Sequence, residues 1–436
     1  MPLLQPGDRL SIGAGQKVRI VRYLASGGEG EVFEVDVDGT RCALKWYFAN
    51  RAHGQRRREL RELVRRESPG PQFLWPYALV EDAARASFGY LMDLLPTRYV
   101  DLNPLVRGDM SPEPSFPTLC RAAIGLASGI RALNLGGLCY KDINFGNAFF
   151  DKLTGDVRIC DNDNVCVLNS QTGDMSGTGP FRAPELWRNE QSPSDKTDRH
   201  SLAVLFFYMF VRSHPLEGQR AANCIVWDHD AQRFCYGTDP VFIFDRDNER
   251  NRPVPGKHDS AIRNWPVYPA TFRDLFGRAF GEGLRDPDRR ITANEWIQAL
   301  SGLCNSRVLC HECLAEQYLD ISNRATGYSP ACWRCKSQLR VPLHITVGDR
   351  TIMLSSDTQL FQHHFRNNFD FGVPAAEVSR HPGDSNRFGL RNLTEETWSY
   401  KAFDGTLRQV PPGKSAPLLD GLVLNFGTVR GYVKAG

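Results

Sequence analysis

KDINFGNAFFDKLTGDVRICDND fills residues 141–163, and its reading decides the fold. Asp142 is followed five residues later by Asn147, then by an apolar run and a Thr-Gly turn at 154–155. After the next strand comes a second aspartate, Asp161. Two carboxylates and an amide are oxygen ligands of the kind that suit a hard cation. Their order is the one that phosphoryl transfer needs.

The rest of the 436-residue chain supplies ample material for a core and for two or three domains. A formal net charge of +3 is close to balance and gives no sequence-wide basicity for nucleic acid. The densest basic run, Arg56-Arg57-Arg58 with Arg61, Arg65 and Arg66, alternates with Glu59, Glu62 and Glu67 at helical spacing, so it reads as a solvated helix face. No signal-peptide-like stretch opens the sequence, and LAVLFFYMFV (202–211) is about half a membrane span, a buried helix. The twelve cysteines are scattered through apolar segments, apart from one paired cluster near residue 310. That usage fits a reducing cytoplasm, with neither a membrane nor a nucleic-acid partner.

Four segments follow from composition and periodicity. Residues 1–95 are rich in alternating strands from 18 to 48, with turns at Ser26–Gly30 and Asp38-Gly39 and a helix over about 55–67. Residues 96–303 are mainly helical, with an insertion at about 215–270 that has no strong period and reads as extended and partner-facing. Residues 304–340 carry the cysteine pairs, and 341–436 are short alternating strands that read as a small β-sandwich.

Within the first segment, Ala25-Ser26-Gly27-Gly28-Glu29-Gly30 lies between two strands, where glycines let the backbone approach phosphates. Ala43-Leu44-Lys45 places one lysine in an apolar strand. Read in order with Asp142, Asn147, Asp161, Gly177-Thr178 and Ala183-Pro184-Glu185, these residues resemble a eukaryotic-type protein kinase over about residues 18–302. The resemblance implies an α+β, bilobal kinase-like fold. It gives Lys45 the α/β-phosphates of ATP, Asp142 the acceptor hydroxyl proton, and Asn147 and Asp161 the Mg²⁺, with Mn²⁺ an alternative. Asp198 matches the aspartate that braces the catalytic loop, and Arg290 the partner of Glu185. Val32, Ala43 and Phe149 would enclose the adenine, with Met92 at the back and Asp93–Leu95 as the hinge. Thr178 and Ser176 are candidate autophosphorylation sites.

The carboxylate expected to pair with Lys45 is Glu59. Leu60, Leu63 and Val64 mark the buried stripe of its helix, and at about 100° per residue Glu59 sits on the stripe's edge while Glu62 points away. Glu67 abuts Ser-Pro-Gly-Pro, where the helix must end.

Several residues depart from the family's pattern. Tyr140-Lys141 stand before Asp142 in place of His-Arg, Asn144 replaces a lysine, and Ala25 replaces the loop's first glycine. Asp161-Asn162-Asp163 replaces Asp-Phe-Gly, which keeps the metal ligand and loses the apolar toggle. An active Ser/Thr kinase is the favoured reading; a nucleotide-binding pseudokinase scaffold that assembles a phospho-signalling complex is the alternative.

Cys310, Cys313, Cys332 and Cys335 form C-x₂-C-x₁₈-C-x₂-C, a structural Zn²⁺ pattern whose role is in folding. Residues 389–427 resemble the second half of a forkhead-associated domain, and Ser379-Arg380-His381 its binding-loop serine. A generic docking sandwich and a phosphothreonine-peptide reader are equal alternatives. The order of parts, with ALKWYF, FLWP, INFGN and ICDNDNV, is similar to a bacterial kinase group. That group is encoded beside a metal-dependent Ser/Thr phosphatase and a von Willebrand factor A-domain protein, in clusters linked to tellurium resistance and stress. The resemblance implies those two proteins as partners.

Overall fold

Six antiparallel strands close into a barrel in the first part of the chain: β1 (Arg9–Ile12), β2 (Gln16–Ser26), β3 (Gly30–Val37), β4 (Thr40–Tyr47), β5 (Ala78–Asp82) and β6 (Ser87–Met92), in the order β1-β2-β3-β4-β6-β5. The structure is a computed structural model and describes residues 2–12, 15–82, 85–168, 177–319, 331–366, 368 and 370–436. β4 is buried from Cys42 to Tyr47 because both of its faces are covered. The two-residue period sends Cys42, Leu44 and Trp46 into the barrel beside Phe33, Val35 and Leu91. Ala43, Lys45 and Tyr47 take the opposite face, where Ala43 and Tyr47 pack with Phe88, Tyr90 and Met92 of β6.

Leu60 of α1 (Gly54–Val64) covers that second face. The helix starts where His53 Nδ1 accepts from the Arg56 amide at 3.2 Å. It ends where Trp75 Nε1 donates to the carbonyls of Leu63 (3.2 Å) and Arg66 (3.1 Å), adding a side-chain donor to the last turn. Its inward residues are Arg56, Leu60 and Leu63. The basic run is therefore not wholly solvated: Arg56 is buried, while Arg57 and Arg61 pair with Glu81.

The second lobe is built around α3 (Phe116–Leu135), α5 (Asp195–Val211) and α11 (Ala293–Asn305), with α2 (Asn103–Arg107), α4 (Pro184–Trp187), α9 (Ala270–Ala279) and α10 (Glu282–Arg285) around them. Ser194 and Thr197 form a capping box at the start of α5, whose apolar half is the centre of the core. No described helix is long and apolar enough to cross a membrane. The same lobe holds short strands β7 (Tyr99–Asp101), β9 (Ala148–Asp151) and β10 (Val157–Ile159) in one sheet, and β8 (Leu138–Cys139) with β11 (Cys166–Val167) in another.

Residues 215–270 are folded onto this lobe and are not extended. They form α6 (Gln219–Ala222), α7 (His229–Arg233) and α8 (Asp259–Asn264), and Tyr236, Phe242, Ile243 and Tyr268 join the main core. Phe244 stacks on Trp265 with ring centroids 4.5 Å apart. Irregularly spaced aromatics on short elements leave no period to read.

β12 (Arg307–Leu309) and β13 (Glu316–Tyr318) lead into the cysteine cluster. Beyond it lie two antiparallel sheets. One has the order β15-β14-β23-β22-β19-β20 and the other β16-β17-β18-β21. The strands are β14 (His344–Val347), β15 (Arg350–Met353), β16 (Gln359–Phe361), β17 (Pro374–His381), β18 (Asp384–Asn392), β19 (Trp398–Lys401), β20 (Leu407–Val410), β21 (Ser415–Pro417), β22 (Val423–Asn425) and β23 (Arg430–Lys434). Trp398 and Leu424 of the first sheet share one core with Leu360, Ala376 and Leu390 of the second. Ser379 lies inside β17, opposite Gly389, with its hydroxyl engaged by Ser415 at 3.0 Å and the Gly389 carbonyl at 3.3 Å. It is a strand residue, not the loop residue that the forkhead-associated resemblance implied.

Candidate active site

Two backbone features place the three oxygen-bearing residues. Lys141 and Asp161 both adopt left-handed φ, 62° and 51°, a conformation that costs a non-glycine residue about 1–2 kcal/mol. The surroundings hold them there. Asp198, at the buried start of α5, accepts from the Tyr140 amide at 3.0 Å and from Asn134 Nδ2 at 3.0 Å. The Tyr140 hydroxyl donates to the carbonyl of Cys160, tying the catalytic loop to the residue before Asp161.

Asp142 is held on both sides. Its Oδ1 accepts from the Thr178 amide (2.8 Å) and hydroxyl (2.9 Å), and its Oδ2 from Asn147 Nδ2 (3.1 Å). Asn147 Nδ2 also donates to the Asp142 carbonyl at 2.9 Å. With the amide nitrogen spent on Asp142, the donor that Asn147 retains for a cation is its oxygen. Asn144 donates to Thr178 Oγ1 and to the Asp142 carbonyl, both at 3.1 Å, so it shapes the loop where a lysine would supply charge. Ser176 lies outside the described residues.

Lys45 reaches this floor from β4. Its Nζ lies 3.2 Å from Asp161 Oδ1, 3.0 and 3.1 Å from the two oxygens of Asp163, and 3.8 Å from Glu29. Asp163 also accepts from the Tyr47 hydroxyl (2.6 Å) and the Tyr90 hydroxyl (2.8 Å). The pKa shifts follow from these contacts. Burial works against the charge on Lys45, yet the carboxylates of Asp163 and Asp161 outweigh it and raise its pKa. Burial works against Asp163 too, but Lys45 and Arg56 hold its carboxyl below the usual range. Asp161 is shifted up, by desolvation and by Asp163 and Asp142, with Lys45 opposing.

Glu59 does not take the expected place beside Lys45. It is half-buried and accepts from Gln55 Nε2 at 3.0 Å. The helix is turned so that Arg56 faces the cleft instead. Arg56 pairs with Glu29 of the glycine turn, lies 3.5 Å from Asp163 Oδ2 and donates to the Asp163 carbonyl at 3.3 Å. Tyr47, Arg56, Tyr90 and Asp163 were not singled out as site residues from sequence. Tyr47 was recoverable, because it stands two residues from Lys45 and shares its face. Tyr90 depends on the pairing Lys45↔Tyr90 across β4 and β6, which no local pattern encodes.

Around these groups, Ala43 and Met92 are buried in one apolar cluster with Val32 and Leu95 at its edge. Asp93 is exposed, and Phe149 is half-buried on β9 between Ala148 and Phe150, which face the lobe core. In the glycine turn, a Cβ on Gly30 would stand 2.2 Å from the Trp46 carbonyl oxygen. Gly27 and Gly28 have open space. Gly30 is thus required by strand packing.

The family model of the protein kinase domain matches residues 21–300. The chain belongs to the protein kinase domain family. No curated protein matches it. The kinase family implies ATP and Mg²⁺ use, phosphoryl transfer and a protein substrate. Further into the kinase lobe, Glu185 and Arg290 form a buried two-pronged ion pair with both contacts at 2.7 Å.

The four cysteine sulfurs lie within 4.8 Å of one another, with Cys310–Cys335 and Cys313–Cys332 both at 3.6 Å. A tetrahedral site with Zn–S near 2.3 Å has S–S edges of roughly 3.8 Å, so the set fits the ion. The two pairs are built alike. The Leu314 amide donates to the Cys310 carbonyl and the Lys336 amide to the Cys332 carbonyl, each at 3.0 Å. Leu314 and Lys336 have matching left-handed φ of 57° and 63°.

Proposed function

We propose that the chain is a Ser/Thr protein kinase that transfers the γ-phosphate of Mg-ATP to a protein hydroxyl. The observation that carries this reading is the convergence of Lys45, Asp142, Asn147 and Asp161 on one cleft, with Asp142 oriented from both sides. Asn147 and Asp161 would hold Mg²⁺, or Mn²⁺ in its place, whose charge when bound offsets that on the transferring phosphoryl group. Lys45 holds the α/β-phosphates, while the backbone of Ala25, Gly27, Gly28 and Gly30 covers them. Val32, Ala43, Met92 and Phe149, with Asp93 and Leu95, enclose the base. Asp142 accepts the proton of the acceptor hydroxyl, held in line by Thr178 and Asn147.

The Ser/Thr preference rests on Gly177-Thr178, with the Thr178 hydroxyl on Asp142, and on likeness to Ser/Thr kinases. Cys310, Cys313, Cys332 and Cys335 would bind one structural Zn²⁺. The two C-terminal sheets act as a β-sandwich for docking. With the Ser379 hydroxyl engaged inside a strand, docking is favoured over phosphothreonine reading. The candidate partners are the von Willebrand A-domain protein and the phosphatase of the similar bacterial group, and the cytoplasm is the proposed location.

The test is incubation with labelled Mg-ATP and a panel of proteins, alone and with an A-domain protein, beside Asp142→Ala. Label on serine or threonine that is lost in Asp142→Ala is the expected result. Equal labelling in both proteins, or label only on tyrosine, overturns the reading; nucleotide binding without transfer supports the scaffold alternative. A metal assay should find about one zinc per chain.

A further inference from the structure

We infer that the carboxylate positioning Lys45 comes from the segment after the metal-binding aspartate, at Asp163, and that the helix contributes the opposite charge, Arg56. This rests on the kinase reading above and deepens it. In the family arrangement expected from sequence, an acidic residue of the helix pairs with the lysine. Here the inward face of α1 is Arg56, Leu60 and Leu63, spaced one turn apart. The one charged residue on that inward face is therefore a cation, and it lies within 3.5 Å of the carboxylate that Lys45 contacts. A second cation beside Lys45, in a cleft where Lys45 is 4% exposed and Arg56 8%, would be repulsive without an anion between them.

Glu29 supplies one such charge, pairing with Arg56 and lying 3.8 Å from Lys45, and Asp163 is the buried one. It is 3% exposed, receives both prongs of contact from Lys45, and lies within 3.5 Å of Arg56. The two tyrosines complete its shell, because Tyr47 and Tyr90 are wholly buried and each places its hydroxyl on one carboxylate oxygen. Three donors and the Arg56 charge thus fix one carboxylate, and the carboxylate fixes the ammonium at 3.2 Å from Asp161. The Asp163 backbone is anchored as well. Neighbouring Asn162 is fully buried and donates to the carbonyls of Leu74 (2.8 Å) and Ile159 (3.0 Å). The Asp-Asn-Asp motif and the arginine on the helix are thus two halves of one exchange of charge. Asp163 acts through Lys45, so it is a positioning residue.

Asp163→Asn alone removes the buried anion from beside two buried cations and endangers folding, so the test is a cycle in the Arg56→Met protein, where adding Asp163→Asn restores the net charge of the parent site. Each variant is checked for cooperative unfolding, and kcat, KM for Mg-ATP and Mg-ATP affinity are measured. With Lys45 present, adding Asp163→Asn should lower kcat/KM by about 100-fold, the size of effect expected from misplacing a reacting group. With Lys45→Met present, the same change should cost less than about threefold, because the group it positions is gone. Glu59→Gln in place of Asp163→Asn should show no dependence on Lys45. The inference is overturned if Asp163→Asn costs under about threefold with Lys45 intact, if its cost is the same in both backgrounds, or if Glu59 carries the coupling. If the chain binds Mg-ATP but transfers nothing, the proposed function fails while the cycle is still decided by affinity. If it binds no nucleotide, both fail.

Discussion

Asp198 and Glu185 are carboxylates of the same buried lobe, 1% and 2% exposed, yet their surroundings push them in opposite directions. Glu185 faces the Arg290 guanidinium, which lowers its pKa against the pull of burial. Asp198 has only N–H donors, and burial pushes it up to about 7. The signs follow from linkage. Glu185 contributes stability that is present above the unfolded value of 4.5 and is lost as pH falls below it. Asp198 binds a proton in the native state that the unfolded chain releases near 3.8, so its contribution is lost as pH rises from about 4 to about 7. Arg290→Met should cost about 3–5 kcal/mol at pH 7, as expected for a buried charge left unpaired, and less below pH 4.5. Asp198→Asn should cost most near pH 4–5 and less toward pH 7.5, the difference reaching at most about 4 kcal/mol. Urea unfolding of the kinase lobe at several pH values reads both slopes. An Asp198→Asn cost that grows with pH would show that the N–H donors keep the carboxylate charged.

At the scale of elements, the same helix shows what local pattern reveals and what it hides. Leu60 and Leu63 were legible as the inward stripe, and they are buried. Arg56 completes that stripe one turn earlier but was read as solvent-facing, because a charged residue is a poor core candidate until its partner is known. The partner, Asp163, is 107 residues away, and only the folded chain brings them together. Asp142 and Asn147 lie close in the sequence, and the hydrogen bonds between them span only five residues, although Asp142 also accepts from Thr178 much further along the chain. β1 went unread for the opposite reason: at four residues, RLSI is too short to display a period. The glycine turn separates the two kinds of constraint by experiment. Gly30→Ala would drive a Cβ into the β4 backbone and should destabilise by about 1–3 kcal/mol. Gly27→Ala and Gly28→Ala meet nothing and should stay within about 0.5 kcal/mol. Thermal melts of the three variants test the contrast.

Across the whole molecule, the C-terminal sheets are fastened to the kinase lobe through polar groups on α11 and just after it. Arg307 grips Asp357 with two contacts of 2.8 Å, and its Nε donates to Glu316 at 2.6 Å. On the short helix α12 (Gln362–Arg366), His363 Nε2 meets the Ser301 hydroxyl at 2.8 Å and His364 Nε2 meets Asn305 Oδ1 at 3.0 Å. Changes of composition along the chain give no sign of this junction, since histidines beside phenylalanine carry no mark of what they will face. Burial, with Arg350 nearby, pushes His363 down to about 4; burial, with His363 and Arg350, pushes His364 down to about 3. Both are therefore neutral at pH 7. A histidine whose folded pKa is depressed contributes stability above its unfolded value of 6.5 and loses it as pH falls toward the folded one. At pH 5 the loss is about 2 kcal/mol for each ring. The junction should thus loosen before either body unfolds. Hydrogen exchange, corrected for the intrinsic rate, should show protection of α12 and of the end of α11 falling between pH 7 and pH 5, with the α5 core unchanged. The double variant His363→Asn, His364→Asn should remove that pH dependence. Equal protection at both pH values in the parent protein would mean that the histidines do not govern the junction.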